Sequence, residues 1–394
     1  MSEHATPCII IHHSEISLKK GNRGFFEARL RDNINHALNG LPGCHVKMDY
    51  GRFLLFFNHM DQTQEILDRL QHVVGIAYLR PAYPGSRDPD TLKDQVFDIV
   101  KSMSFNTFRV DTRRADKQFP HTSVEINRIV GSRIHMQLGK PVDLSDQADL
   151  TISIEIFNKK VFFSVNSIRG IRGLPVGSTG KVVSMLSSGI DSPVSSFMMM
   201  TRGCQNIFVH FHSYPYTEKS SIYNAQALVR HLTRYQYRSK LYLVPLASIQ
   251  RAIISGAPEK FRVILYRRMM YRLAQKVAEK EGARALVTGD SLGQVASQTL
   301  ENIAAIDDAI TMPVLRPLSG LDKDSIIKKA RDLGTFTTSI EPHDDCCSYL
   351  VPQRPETKAK MDQVHKAESG VPDWQAQIKD ALKKTELEKY TWSV

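Results

Sequence analysis

The chain has 394 residues, room for two or three domains, and its 42% hydrophobic and 24% charged residues are those of a soluble globular protein. No apolar run approaches the roughly 18 residues of a membrane span, and the N-terminus lacks a signal-peptide core, so a cytoplasmic protein is expected. A net charge of +11 and a pI near 9.3 point to a polyanionic partner, and five cysteines, odd in number and mostly scattered, form no disulfide framework, which suits a reducing compartment.

Residues 9–11, three isoleucines, read as a short strand ending at His12 and His13; adjacent strand residues point to opposite faces, so these histidines make no metal pair. A basic segment holding Lys19, Lys20 and Arg23 precedes a helix expected over 25–38, where Phe26, Leu30, Ile34 and Leu38 recur at i+4. Basic side chains beside free helix N-terminal amides suit a phosphate. A hairpin over 46–57 turning at Gly51, a helix over 63–70 and a strand over 74–81 follow, and residues 84–89, bounded by Pro84 and Pro89, read as a turn or linker. Then come a helix over 92–103, a strand over 107–112, a helix over 124–138 and a hairpin of 150–157 with 160–165.

Residues 174–180 form the linker into the second half. The run from Gly177 to Lys181 imitates a kinase-type phosphate loop, but Val182 stands where Ser or Thr holds magnesium and the run precedes its strand, so it is rejected. A buried strand (182–186), a small-residue loop (187–189) and a helix opened by Ser192 and Pro193 come next. Such a loop lets backbone N–H groups approach a phosphate, and the helix dipole favours the anion. Strands at 207–211, 240–244 and 285–290 alternate with helices at 221–235 and 261–281, and a polar helix is expected over 374–390. This alternation gives an α/β fold with a doubly wound parallel sheet, whose ligand sits at the strand C-termini. The 187–189 loop, His210 with Phe211, and Gly289 with Asp290 therefore point into one crevice.

The run Ser187-Ser-Gly-Ile-Asp191-Ser192 resembles the S-G-G-x-D-S pyrophosphate loop of ATP pyrophosphatases. Ser188 replaces the first glycine of that loop: either the position needs no positive φ, or the hydroxyl adds a phosphate contact. Residues 111–120 and 167–175 resemble a THUMP domain, an RNA-binding module of tRNA-modifying enzymes, and roughly the first sixty residues resemble the ferredoxin-like domain that accompanies it. With Gly289-Asp-Ser-Leu-Gly-Gln294-Val-Ala-Ser-Gln298-Thr and Ser17-Leu-Lys-Lys-Gly-Asn-Arg-Gly-Phe-Phe-Glu27, essentially the whole chain is similar to the tRNA 4-thiouridine synthetase family. The resemblance implies a ferredoxin-like domain (1–62), an α+β THUMP domain (63–168) and an adenine nucleotide alpha hydrolase-like pyrophosphatase domain (175–394). It marks Lys19, Lys20, Arg23, Arg113, Arg114, Lys117, Arg128, Arg133, Arg169 and Arg172 as RNA contacts, which would read backbone and shape more than bases.

The family chemistry implies an ATP-dependent tRNA sulfurtransferase. Uridine O4 of the tRNA (uridine 8, beside the acceptor arm) attacks the α-phosphorus of ATP, pyrophosphate leaves, and a cysteine persulfide displaces AMP at C4. ATP phosphates would rest on Ser187, Ser188, Gly189 and Ser192. Met185, Leu186, His210, Phe211, Gly289 and Gln298 would line the adenosine side, with Arg267 reaching the nucleotide. Asp191 would hold Mg2+ or orient the pyrophosphate, and Lys323, matching the family's essential lysine, would neutralise charge developing on the α-phosphate.

Cys346 matches the catalytic cysteine by spacing from Lys323, with Cys347 beside it. A disulfide resolving Cys346 would use Cys347, a strained pairing, or an outside thiol. The adjacent cysteines lack the C-x-x-C spacing of common zinc sites, and residues 266–271 lack the cysteines of relatives that carry an iron–sulfur cluster, so no metal site is expected. The chain stops at Val394 without the rhodanese domain many bacterial relatives append, so a cysteine desulfurase, or sulfide, is the expected sulfur donor. The family further implies a homodimer and a link to thiamine thiazole synthesis. A small-molecule ligase sharing the pyrophosphate loop is the alternative; it leaves the basic N-terminal half unexplained.

Overall fold

The computed structural model describes residues 8–342 and 354–392, and the chain divides into two units between residues 174 and 175. In the first unit, β1 (Cys8–His13), α1 (Arg23–Ala37), the hairpin β2 (His45–Asp49) and β3 (Arg52–Phe56), α2 (Thr63–Leu70) and β4 (Ile76–Gly85) come first. They are followed by α3 (Pro89–Val100), β5 (Phe108–Arg114), α4 (Ser123–Leu138), β6 (Leu150–Phe157), β7 (Lys160–Ser164) and β8 (Ile168–Arg169). The expected i+4 stripe of α1 is buried through Phe26, Leu30, Ile34 and Ala37. Two helix starts are chemically marked: Asp88 accepts from the Thr91 N–H ahead of α3, and Thr122 with Glu125 closes a capping box on α4.

The first unit forms one sheet in the order β2-β3-β1-β4-β7-β6-β5, with β8 beside β4. Residues 84 and 85, expected in a turn or linker, instead belong to β4. Its first part pairs with β1 (Ile9 opposite Pro81), and Tyr83, Pro84 and Gly85 pair with Phe163, Phe162 and Val161 of β7. Prolines signalled an end to the strand because they cannot donate to a ladder. Here Pro81 pairs only with β1 and Pro84 only with β7, so a missing N–H is tolerated.

Where β1, β3, β4 and β6 meet, the carboxylate of Glu155, 2% exposed, lies between two guanidinium groups and an imidazole. His12 Nε2 is 2.8 Å away, Arg80 donates at 3.0 Å, and Arg52 pairs with the other oxygen while stacking on Phe157. Burial alone would raise the Glu155 pKa, but the hydrogen bond from His12 and the charges around it hold it near 2. His13, on the opposite face, looks toward Glu27.

The second unit runs β9 (Lys181–Met185), α5 (Asp191–Thr201), β10 (Gln205–His212), α6 (Ser220–Thr233), β11 (Arg238–Pro245), α7 (Ala247–Gly256), α8 (Arg262–Glu281) and β12 (Leu286–Val287). It continues with α9 (Leu300–Asp307), β13 (Val314–Leu315), α10 (Lys323–Leu333), α11 (Phe336–Ser339), α12 (Met361–Ser369), α13 (Trp374–Lys383) and β14 (Glu386–Thr391). The sheet order is β13-β12-β9-β10-β11-β14, parallel except for β14.

The polar helix expected over 374–390 is therefore corrected. It ends at Lys383, and residues 386–391 pair antiparallel with β11, Arg238 opposite Thr391, covering what would otherwise be an open edge. Helix α7 has no counterpart in the sequence reading, although its buried Ile249, Ala252 and Ile253 repeat at helical spacing.

Candidate active site

At the C-terminal ends of β9, β10 and β12 lies a cavity of about 570 Å³. Met185, Leu186, Ser187, Gly189, Asp191, Ser192, His210, Phe211, Arg267, Gly289 and Gln298 all line it. The crevice rule for parallel sheets thus brings together residues spread over more than a hundred positions. Among the lining residues that the sequence reading did not assign, Val263 and Met270 share the α8 face of Arg267 at i, i+4 and i+7, a spacing that could have revealed them.

The loop between β9 and α5 is tied to itself. Ser187 N–H donates to Ser192 Oγ (2.9 Å), Ser192 Oγ donates to Ser187 O (3.1 Å), and Gly189 N–H reaches Ser187 Oγ (3.3 Å). Ser188 has no positive φ, so its backbone does not require glycine. Its hydroxyl is buried away from the cavity lining and has no hydrogen-bond partner among the described residues. Of the two explanations for the substitution, the backbone one fits this geometry.

Asp191 opens α5, where a carboxylate complements the dipole. Its Oδ1 accepts from Lys323 Nζ (2.7 Å) and its Oδ2 from Gln294 Nε2 (2.9 Å). Lys323 itself begins α10, where a cation works against the helix dipole. Asp322 offsets this by capping α10 through the Ser325 N–H at 2.7 Å. Lys323 is thus held against the dipole with its ammonium on Asp191, a lining residue of the cavity.

The opposite wall is braced by Asp290, which is buried and was not singled out for a role by the sequence. It receives Arg267 (2.5 Å), Thr288 (2.8 Å), Arg316 (3.3 Å) and Gln298 (3.3 Å). Burial alone would raise its pKa, but the Arg267 guanidinium and these bonds keep it below the usual carboxylate range. Arg267 also donates to Ser297 Oγ (3.0 Å), so its guanidinium is oriented before any ligand arrives. Cys346 and Cys347 lie outside the described residues.

Three family models match in order: the ThiI ferredoxin-like domain over residues 8–79, the THUMP domain over 86–166, and the thiamine biosynthesis protein (ThiI) model over 177–372. A probable tRNA sulfurtransferase of Thermus thermophilus is 40% identical over 96% of this chain and 92% of its own. The chain belongs to the ThiI family of tRNA sulfurtransferases. A second family member, from Moorella thermoacetica, is 40% identical across 92% of this chain and 93% of its own. A crystal structure of a 4-thiouridine synthetase–RNA complex with bound ATP, 34% identical, superposes with a TM-score of 0.87 over 98% of this chain and all of that one.

Within this ThiI chain, the basic residues of the first unit fall into different settings. Arg113 donates to the Tyr78 hydroxyl (3.2 Å), and Arg169 on β8 lies opposite Tyr78, so these two converge. Arg172 and Arg169 are exposed on a segment laid along β4 by the bonds Gly170 N–H to Ala77 O and Arg172 N–H to Ile76 O. Arg128, Lys20 and Lys117 are also exposed. Arg23 pairs with Glu27 (2.6 Å), Arg133 with Asp94 (3.0 Å), Lys19 sits over the Phe26 ring, and Arg114 donates to Phe119 O (3.0 Å).

Gly289 offers a test of how tightly the ThiI crevice is built. A Cβ there would stand 2.7 Å from Ser192 N and 2.9 Å from its Cα, both backbone atoms at the start of α5. Gly289→Ala must push strand end and helix start apart. The expected result is a loss of about 1–3 kcal/mol in stability, measured by denaturation, with ATP affinity at least tenfold weaker by calorimetry.

Proposed function

We propose that this chain is an ATP-dependent tRNA sulfurtransferase that converts uridine 8 of tRNA to 4-thiouridine. The observation that carries this reading is the Asp191–Lys323 pair at the mouth of a phosphate loop, in a chain 34% identical to a synthetase crystallised with RNA and ATP. ATP lies in the 570 Å³ cavity with its phosphates on Ser187, Gly189 and Ser192, and its base and sugar against Met185, Leu186, His210 and Phe211. Lys323 moves its charge from Asp191 to the α-phosphate as uridine O4 attacks and pyrophosphate leaves. Among the described residues, Asp191, freed of Lys323, is the lining carboxylate that would have an oxygen to offer Mg2+ beside a triphosphate. That ion would supply charge neutralisation when bound.

Sulfur transfer belongs to Cys346, as a persulfide whose terminal sulfur attacks C4 and expels AMP. Cys347 or an outside thiol then attacks the Cys346 sulfur of the mixed disulfide and releases the thiolated base. A cysteine desulfurase supplies the persulfide, and the labour divides over segments 1–62, 63–168 and 175–394, with Arg113, Arg169 and Arg172 among the tRNA contacts of the first unit. A homodimer, a cytoplasmic site of action and a second role in thiazole sulfur transfer complete the reading. In its support, no described helix is long and apolar enough to cross a membrane, and the matching model is described as a thiamine biosynthesis protein.

The test is AMP and pyrophosphate release from ATP with tRNA bearing uridine 8 and with a uridine-to-cytidine variant. Release confined to the uridine-8 tRNA is expected. Release indifferent to tRNA would move the assignment to a small-molecule ligase.

A further inference from the structure

The loop after β10 and the start of α6 carry side chains that the ATP chemistry does not employ. Tyr214 and Tyr216 are each 45% exposed, and Tyr223 in the first turn of α6 is 59% exposed. Aromatic side chains are among the largest apolar payloads a chain can bury, yet three stand in water within ten residues. Cations accompany two of them: Lys219 Nζ lies 4.8 Å from the Tyr214 ring centroid, and the Arg251 guanidinium 5.3 Å from that of Tyr216.

The place of this ledge in the fold matters. Phe211, three residues before Tyr214, lines the ATP cavity, and β10 is the sheet neighbour of β9, which feeds the phosphate loop. The root of the ledge is fixed: buried Ser213 donates to Gln250 Oε1 (2.6 Å), Tyr216 N–H to Ser213 O (2.8 Å), and Leu246 N–H to His212 O (2.8 Å). The rings therefore project from a rigid base at the end of the sheet where the reaction takes place.

We propose that Tyr214 and Tyr216 form an RNA-stacking ledge of the catalytic unit, holding the bases that flank the modified uridine, while Lys219 and Arg251 take the adjoining phosphates. This rests on the tRNA reading above. Enzymes that do chemistry on a base draw it out of its stack, and aromatic rings replace the stacking that neighbouring bases lose. A cation over one ring face leaves the other face for a base and sets a positive charge where the backbone must pass.

The experiment uses the full chain and tRNA carrying 2-aminopurine beside uridine 8, followed by fluorescence across a salt series. Wild-type protein is expected to quench the probe. Tyr214→Ala/Tyr216→Ala is expected to lose the quenching and bind about tenfold more weakly with an unchanged salt slope, and the double Phe variant to restore both. Lys219→Ala is expected to keep the quenching and lower the slope by about one unit. ATP affinity, measured by calorimetry, reports that each variant is folded. Quenching and affinity unaltered in the double Ala variant overturn the ledge alone, whereas a wild type that binds no tRNA overturns the ledge together with the tRNA assignment.

Discussion

Lys323→Ala should lower tRNA-dependent AMP release by about 10²–10³-fold, the usual consequence of removing one group that stabilises charge developing in a transition state. The geometry behind this is specific. Lys323 occupies the first position of α10, electrostatically the wrong end of a helix for a cation, and points at Asp191 Oδ1 from 2.7 Å. Its side chain is 44% exposed, so its removal should leave the melting temperature within a few degrees of wild type. Lys323→Arg keeps the charge but replaces a compact ammonium with a planar fork, and should recover part of the rate. A variant that releases AMP at the wild-type rate would remove Lys323 from the chemistry and leave it as a surface partner of Asp191.

The second large effect lies in the first unit. Glu155→Gln should destabilise it by about 3–5 kcal/mol, because Arg52 and Arg80 would keep their charges with no carboxylate between them. The pH dependence has a definite sign. The Glu155 pKa falls from 4.5 in the unfolded chain to about 2 in the fold, so its contribution is fully present above pH 4.5 and is lost as pH falls toward 2. That depression corresponds to about 3 kcal/mol. Urea titrations at steps from pH 6 to pH 3 should show wild type and Glu155→Gln converging as pH falls. A constant gap over that range would mean that folding leaves the Glu155 pKa unshifted.

The site was legible because the sequence marks it twice. Ser187 to Ser192 joins a β-branched strand to a Pro-opened helix, and the Gly289–Thr299 run carries both the glycine that admits the α5 backbone and Gln294, which holds Asp191. Periodicity found most elements, since α1 buries the stripe its spacing predicts and β6 and β7 pair across Asn158 and Lys159. It failed where tertiary pairing outweighs local preference. The 84–89 run read as a turn or linker until Pro84 and Gly85 were placed against β7, and the polar run 386–391 is held as β14 by β11. Asp290 went unassigned because its role depends on Arg267 and Arg316 arriving from other elements, and no local pattern encodes that meeting.

The central claim is that uridine O4 becomes a leaving group by bonding to the α-phosphorus of ATP. It is tested most directly with tRNA labelled with oxygen-18 at O4 of uridine 8, incubated with ATP and a sulfur donor in a single turnover. The label should appear in the phosphate of AMP, one atom for each 4-thiouridine formed. Thiolated tRNA accompanied by unlabelled AMP would contradict the account.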